Sequence, residues 1–248
     1  MDASVFLSII IPVYNEQKRV KEGVEAALNY CADHEPSYEV VVVDDGSQDE
    51  TLKILNRMSE THPNLRVVAA PHGGKGWALR QGVFASQGQW LFLCDVDFSM
   101  PVQEIERFKP AMERNAPVII ASRELRGSIR VDEPAYRHLM GRVFNFLVRM
   151  FAVKGIQDTQ CGFKCFRRDA ARNLFSLQRI YGWGFDVELL FVAQKHGYTI
   201  EEVPITWYYR DNSKVQPVKD TFRMLDEIFQ VRRNNWKGFY NVLPTAEE

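Results

Sequence analysis

The sequence predicts an α/β fold, a mostly parallel, doubly wound sheet with helices on both faces. Short apolar runs rich in β-branched residues alternate with segments whose apolar residues recur three and four positions apart. The runs are apolar almost throughout, as in strands covered on both sides, and polar clusters follow several of them.

Each element follows from its residues. Val5–Val13, ended by Pro12 and Asn15, reads as a buried strand, and Val20, Val24, Ala27, Leu28 and Cys31 then recur at helical spacing. Tyr38–Val43 is the next strand. Ser47 and Glu50 have the spacing of a capping box, opening a helix with Leu52, Leu55 and Met58. Leu65–Ala69, a helix from about Trp77 to Ser86, Trp90–Cys94, a helix over Ile105–Arg114 and Val118–Ser122 continue the alternation through residues 1–122. Beyond Ser122 the rhythm breaks: a long helix over Pro134–Lys154, a Gly-punctuated turn and strand over Gln157–Arg167, a helix from Phe185 to His196 and a strand at Thr199–Trp207. Pro217 starts a last helix on which Val218, Phe222, Leu225, Ile228 and Phe229 share a face. With no linker rich in Gly, Ser or Pro, residues 123–216 and the helix and tail over 217–248 are expected to complete one domain with 1–122.

Composition narrows the function. A chain of 248 residues, 46% hydrophobic, can bury a sizeable core. A net charge of −1 gives no general attraction to polyanions, so nucleic acid is not an expected partner. Four cysteines, at 31, 94, 161 and 165, make no disulfide framework and suit a reducing compartment; Cys161 and Cys165 lack the second pair that structural zinc needs. No signal segment precedes the first strand and no stretch reaches the ~18 uncharged apolar residues of a membrane span, so a cytosolic location is expected.

Ligands of an open parallel sheet collect at the carboxyl ends of its strands, and three polar clusters fall there: Pro12-Val13-Tyr14-Asn15-Glu16, Asp44-Asp45-Gly46-Ser47 and Asp95-Val96-Asp97. Asp95 and Asp97 can aim hard oxygen ligands at one Mg2+ or Mn2+, whose open positions suit a diphosphate. Asp45 and Glu16 can accept from a base and from ribose hydroxyls, and the Tyr14 ring offers a stacking face. His72-Gly73-Gly74-Lys75-Gly76 precedes a helix, bringing backbone N–H groups and Lys75 toward phosphate or sugar oxygens. Neither the Walker spacing nor a G-x-G-x-x-G after the first strand occurs, which excludes P-loop NTPases and dinucleotide dehydrogenases.

These clusters, with Ser122-Arg123, Asp158-Thr159-Gln160-Cys161-Gly162-Phe163-Lys164 and Phe185-Asp186-Val187-Glu188-Leu189-Leu190, resemble the inverting GT-A glycosyltransferases of the polyprenyl-phosphate type, most of all the dolichyl-phosphate β-glucosyltransferases. The resemblance implies the GT-A, or nucleotide-diphospho-sugar transferase, fold. It places the nucleoside on Pro12, Tyr14, Glu16, Val43 and Asp45, and the diphosphate and its metal on Asp95, Val96 and Asp97. Arg123, Arg210 and Lys214 match basic residues directed at donor and acceptor phosphates. Related mannosyl enzymes often carry a side-chain amide where this chain has Ser99, so no third protein ligand to the metal is implied. The expected reaction moves a hexose, glucose from UDP-glucose, to a polyprenyl phosphate. GDP-mannose as donor, a glycan hydroxyl as acceptor and a silent nucleotide-sugar-binding module are the alternatives. Gln230-Val231-Arg232-Arg233-Asn234 stops short of the Q-x-x-R-W motif of processive synthases, which disfavours chain-making.

A polyprenyl phosphate is already anionic, so its oxygen can attack the sugar carbon without a base. For a hydroxyl acceptor, Asp158, Asp186 or Glu188 become base candidates; Asp186 and Glu188 equally suit bracing a helix, whereas Asp158 opens a turn expected beside the acceptor. On the Pro134–Lys154 helix, His138, Arg142, Asn145 and Arg149 form a polar stripe opposite Leu139, Met140, Val143, Phe144, Phe146, Leu147, Met150 and Phe151, a pattern that fits either a membrane interface or packing on the sheet. Arg232, Arg233 and Lys237 among Trp236, Phe239 and Tyr240 suit anionic headgroups, and peripheral binding at the cytosolic membrane face is the expectation.

Overall fold

Ile9 and Ile11 of β1 (Leu7–Val13) pack on one side of the sheet and Ile10 on the other, which fixes a three-layer architecture. The same alternation holds in β2 (Tyr38–Asp44), with Val40 and Val42 opposed to Val41 and Val43, and in β4 (Trp90–Leu93), with Trp90 and Phe92 opposed to Leu91 and Leu93. The computed structural model describes residues 5–35, 37–97, 99–136, 138, 141–142, 145, 148–149, 152–209 and 217–243, with the side chains of 217–225 left aside. Arg210 and Lys214 lie outside the described residues, as do Leu139, Met140, Val143, Phe144, Phe146, Leu147, Met150 and Phe151.

The main sheet has seven strands in the order β3-β2-β1-β4-β7-β5-β8, with β3 at Leu65–Ala69, β5 at Val118–Ser122, β7 at Lys164–Arg167 and β8 at Ile200–Pro204. One face carries α1 (Val20–His34), α2 (Thr51–Ser59), a 3-10 helix (Val102–Phe108) and α4 (Lys109–Glu113); the other carries α3 (Lys75–Ala85), α5 (Arg168–Ser176), α6 (Phe185–Lys195) and α7 (Pro217–Trp236). Ser8, polar in a strand with no exposed surface, is satisfied: its hydroxyl donates to Glu39 Oε1 at 2.6 Å and accepts from Gly88 N at 2.7 Å. Left unpaired, it would cost about 1–3 kcal/mol.

Several boundaries differ from the sequence expectation, each for a local reason. Pro110, lacking an N–H, sits at the start of α4, so the helix expected over Ile105–Arg114 divides into a 3-10 stretch and a fresh α-helical turn. No capping box forms: Ser47 Oγ accepts instead from Asn15 N at 2.9 Å, and α2 opens at Thr51, whose N–H donates to Asp49 Oδ1 at 2.9 Å. Of the strand expected over Gln157–Arg167 only β7 pairs. It runs antiparallel between β4 and β5, because the chain re-enters the sheet from the edge where β5 left it, with Lys164 opposite both Leu93 and Ile120. Thr199–Trp207 divides into β8 and β9 (Thr206–Tyr208), which pairs with β6 (Ile129–Val131) in a separate ribbon.

Every described position from 135 to 149 is helical, but Asn145 is buried and its Oδ1 accepts from Thr159 Oγ1 at 3.0 Å, so it does not belong to a solvent-facing stripe. On α7, Ile228 is buried whereas Phe229 is exposed, so the two do not share the packed face. Tyr240 is also buried; the exposed aromatic surface of the tail is Trp236 and Phe239. Among the described residues no helix is long and apolar enough to cross a membrane.

Candidate active site

Because β2, β1 and β4 are adjacent and parallel, the segments after them meet along one edge. Asn15 takes a φ of 52°, and its side chain accepts from Gln48 N at 2.8 Å while its own N–H reaches Ser47, stitching the first cluster to the second. Asp45 organises the glycine stretch: Oδ1 accepts from Gly73 N at 2.8 Å and Oδ2 from Gly74 N at 3.0 Å, with His72 Nδ1 2.9 Å from Oδ2. Gly74, at φ 99°, takes a backbone conformation that a side chain would strain. The imidazole of His72 stacks on Tyr14, ring centroids 4.2 Å apart, so the expected stacking face is already backed by a second ring. Glu16 is held by Arg19, with Arg19 Nε donating to Oε2 at 2.9 Å.

The second half of the edge is acidic. Asp95 Oδ1 lies 2.5 Å from Lys75 Nζ, and its Oδ2 rests where a Cβ on Gly162 would come within 2.5 Å. Asp97 Oδ1 accepts from Ser99 N at 3.0 Å. Val96 packs on α1 at Gly23, where an added Cβ would stand 2.2 Å from the Val96 carbonyl oxygen. Among the described residues no group of three His, Cys, Asp or Glu side chains converges. Two hard carboxylates opening on a cleft nevertheless fit a divalent ion whose remaining ligands are diphosphate oxygens. Burial works against the Lys75 ammonium, but Asp95 and Asp186 outweigh it and hold the amine above the ordinary lysine range.

Arg123 faces this edge from the end of β5. Its Nε donates to Asp158 Oδ2 at 2.7 Å, its Nη2 to Oδ1 at 3.0 Å and its backbone N–H to Oδ2 at 3.0 Å, while the Trp207 ring lies 5.4 Å from the guanidinium carbon. Burial would raise the Asp158 carboxyl, but the Arg123 charge and hydrogen bonds hold it down at about 2. Asp158 is fully buried and does not line the cleft, so it is not placed as an acceptor-side base; its carboxylate is bonded to Arg123, which does line the cleft. The other base candidates are engaged too. Asp186 pairs with the buried Lys164 Nζ at 2.7 Å. Glu188 accepts from Arg179 N at 3.0 Å, from Ile180 N at 2.9 Å and from the Tyr240 hydroxyl, bracing the loop before α6.

One cavity of about 720 Å³ gathers Pro12, Tyr14, Glu16, Asp45, Lys75, Asp95, Val96, Asp97 and Arg123. Val43 is not among them: its side chain is fully buried with α3 on the far face of the sheet. His72, Trp183 and Trp207 line the same cavity without having been singled out. His72 opens the glycine stretch and Trp207 ends an expected strand, so position marked both; Trp183, whose ring lies 5.7 Å from Lys75 Nζ, carries no local signal. Cys161 lines the cavity wall, yet burial pushes its thiol up to about 12, and all four cysteines are free and buried.

A mostly parallel sheet with aromatic, glycine-rich and paired-carboxylate segments at neighbouring strand ends, faced by a clamped arginine, defines a glycosyltransferase of GT-A fold. Residues 8–175 match Glycosyl transferase family 2, and the chain belongs to that family. It is 32% identical to the dolichyl-phosphate beta-glucosyltransferase of Dictyostelium discoideum over 96% of this chain and 77% of that one, and 33% identical to the human enzyme of that name over 97% and 79%. Among solved structures, glucosyl-3-phosphoglycerate synthase of Mycobacterium tuberculosis in complex with UDP superposes with a TM-score of 0.67 at 18% identity, over 98% of this chain and 82% of that one, which shows the shared fold.

Proposed function

We propose that this glycosyltransferase moves glucose from UDP-glucose to a polyprenyl phosphate, inverting the sugar carbon, at the cytosolic face of a membrane. The observation that carries this reading is the single cavity joining Tyr14, Asp45, Asp95, Asp97 and Arg123, in a chain at least 30% identical to dolichyl-phosphate beta-glucosyltransferases. The nucleoside would lie against Tyr14, with Glu16 and Asp45 as acceptors and Pro12 as floor, and the diphosphate would lie between Val96 and the first turn of α3 at Lys75. Asp95 and Asp97 would hold Mg2+ or Mn2+, which when bound offsets the charge of the departing diphosphate. A fold neighbour was crystallised with Mn2+ and UDP-glucose.

Arg123, turned toward the cavity and locked by Asp158, orients the acceptor phosphate for in-line attack. The phosphate oxygen brings its own electron pair to the sugar carbon as the bond to the nucleoside diphosphate breaks, and no proton has to move. Arg210 and Lys214 would add to the phosphate field. Exposed Trp236 and Phe239 beside Arg232, Arg233 and Lys237 give the chain a surface suited to an anionic bilayer.

The test incubates the protein and Mn2+ with labelled UDP-glucose or GDP-mannose, with and without polyprenyl phosphate in anionic liposomes, and follows label into the organic phase. Label is expected from UDP-glucose only when the lipid is present, with the protein floating with the vesicles at low salt. Label from GDP-mannose, label on a soluble glycan, or tight donor binding without turnover would each replace this reading.

A further inference from the structure

The cleft contains a cation of its own at the place assigned above to a divalent ion. Asp95 offers two oxygens: Oδ2 is wedged over Gly162, whose missing Cβ makes the room, and Oδ1 holds Lys75 Nζ at 2.5 Å. A carboxylate neutralised by an ammonium at contact distance is a poorer ligand for a second cation, because the two positive charges repel at the short range of one shared oxygen. Lys75 is also provided with an alternative. The Asp186 carboxylate is close enough to act on the same ammonium and is itself fixed by buried Lys164 at 2.7 Å, so acid and base alternate along Asp95, Lys75, Asp186 and Lys164. The Trp183 ring, 5.7 Å from Nζ, gives the ammonium a further favourable face as it moves.

We propose that Lys75 is a placeholder cation: in the donor-free protein its ammonium occupies the Asp95 carboxylate, and it yields that position when a diphosphate arrives with its metal and takes the ammonium onto a phosphate oxygen. The inference rests on Asp95 and Asp97 being metal ligands and adds the order of events. Metal alone binds weakly, because it must displace Lys75 from contact with Asp95 and leave it only Asp186, which Lys164 already neutralises. Metal with a nucleoside diphosphate binds well, because the phosphates supply both the remaining metal ligands and a new partner for Lys75. An open acidic site is thereby kept closed to stray divalent ions until donor is present.

Mn2+ binding, followed by the paramagnetic resonance signal of free Mn2+, tests this without turnover. Wild type, Lys75→Met, Lys75→Arg and Asp97→Asn are each titrated with Mn2+ alone and with Mn2+ plus UDP. Lys75→Met should bind Mn2+ alone about tenfold more tightly than wild type, a difference of about 1.4 kcal/mol. It should gain less from UDP than wild type gains, whereas Lys75→Arg should stay as weak as wild type for metal alone. Equal or weaker binding of Mn2+ alone by Lys75→Met, while wild type binds Mn2+ with UDP and Asp97→Asn does not, would overturn the placeholder and leave the metal site standing. Failure of wild type to bind Mn2+ even with UDP would remove the metal site and the placeholder together.

Discussion

Asp158 does not touch the cavity, but it fixes Arg123, which does. Three bonds to Arg123 leave it no acceptor role of its own, and its carboxyl, held at about 2, is a store of pH-dependent stability. Because this pKa lies below the value of about 3.9 in an unfolded chain, the ionised carboxylate favours the fold. The contribution, about 2 kcal/mol, is complete above pH 4 and lost as pH falls through about 2. Asp158→Asn should therefore flatten the acid limb of a urea-stability profile between pH 4 and 2. At neutral pH it should cost about 3 kcal/mol, since it strips a buried ion pair of one partner. In the transfer assay it should raise the acceptor KM and lower kcat while leaving the donor KM nearly unchanged, because Arg123 would keep its charge and lose its aim. An unchanged acceptor KM would detach Asp158 from the acceptor.

At the scale of elements, α1 serves the site through an absence. Gly23 lies inside a helix, where alanine would ordinarily be better by about 1 kcal/mol. Here the added Cβ would stand 2.2 Å from the Val96 carbonyl, a backbone atom that no rotamer change can move. Overpacking of about 1–3 kcal/mol outweighs the propensity gain, and the segment joining Asp95 to Asp97 must shift. Gly23→Ala is expected to lose about 1 kcal/mol in urea unfolding and to weaken Mn2+-dependent UDP binding in calorimetry; unaltered UDP binding would show that the segment tolerates displacement. This contact also marks where sequence patterning stops. The two-sided alternation in Leu7–Val13 and Tyr38–Asp44 is a local property, and it foretold the layers and which strand ends would carry Tyr14, Asp45 and Asp95. The antiparallel insertion of Lys164–Arg167 between β4 and β5 depends on where the chain re-enters the sheet, which no window of residues records. Val43 stays out of the cavity because strand alternation turns its side chain toward α3. Ser47 and Glu50 had the right spacing for a cap, yet a partner distant in sequence, the Asn15 N–H, claimed the hydroxyl.

Across the whole molecule the tail and the site are joined through the loop at residues 179–184. Glu188 of α6 accepts two backbone N–H groups from the start of that loop, Glu227 of α7 accepts Gly184 N at its end, and the loop itself presents Trp183 to the cavity and the Tyr181 carbonyl to Gly76 N at 2.9 Å. Tyr240, fully buried, donates to the same Glu188 and receives Asn234 Nδ2 at 3.0 Å. Burial pushes the Glu188 carboxyl up to about 7, and the Tyr240 bond opposes the rise. A carboxyl raised in the folded state contributes stability that is present below the unfolded value near 4.3 and is lost as pH climbs through about 7. Above that pH the fold must hold a buried carboxylate, and there the Tyr240 hydroxyl is worth most, about 2 kcal/mol for a hydrogen bond to a charged group. Tyr240→Phe should thus destabilise the protein by about 2 kcal/mol at pH 8 and by clearly less at pH 5, where a protonated Glu188 needs the donor less. Urea unfolding at the two pH values measures the difference. A loss of equal size at both would mean that Tyr240 acts by packing alone, and that the tail reaches the cavity loop through shape and not through the Glu188 charge.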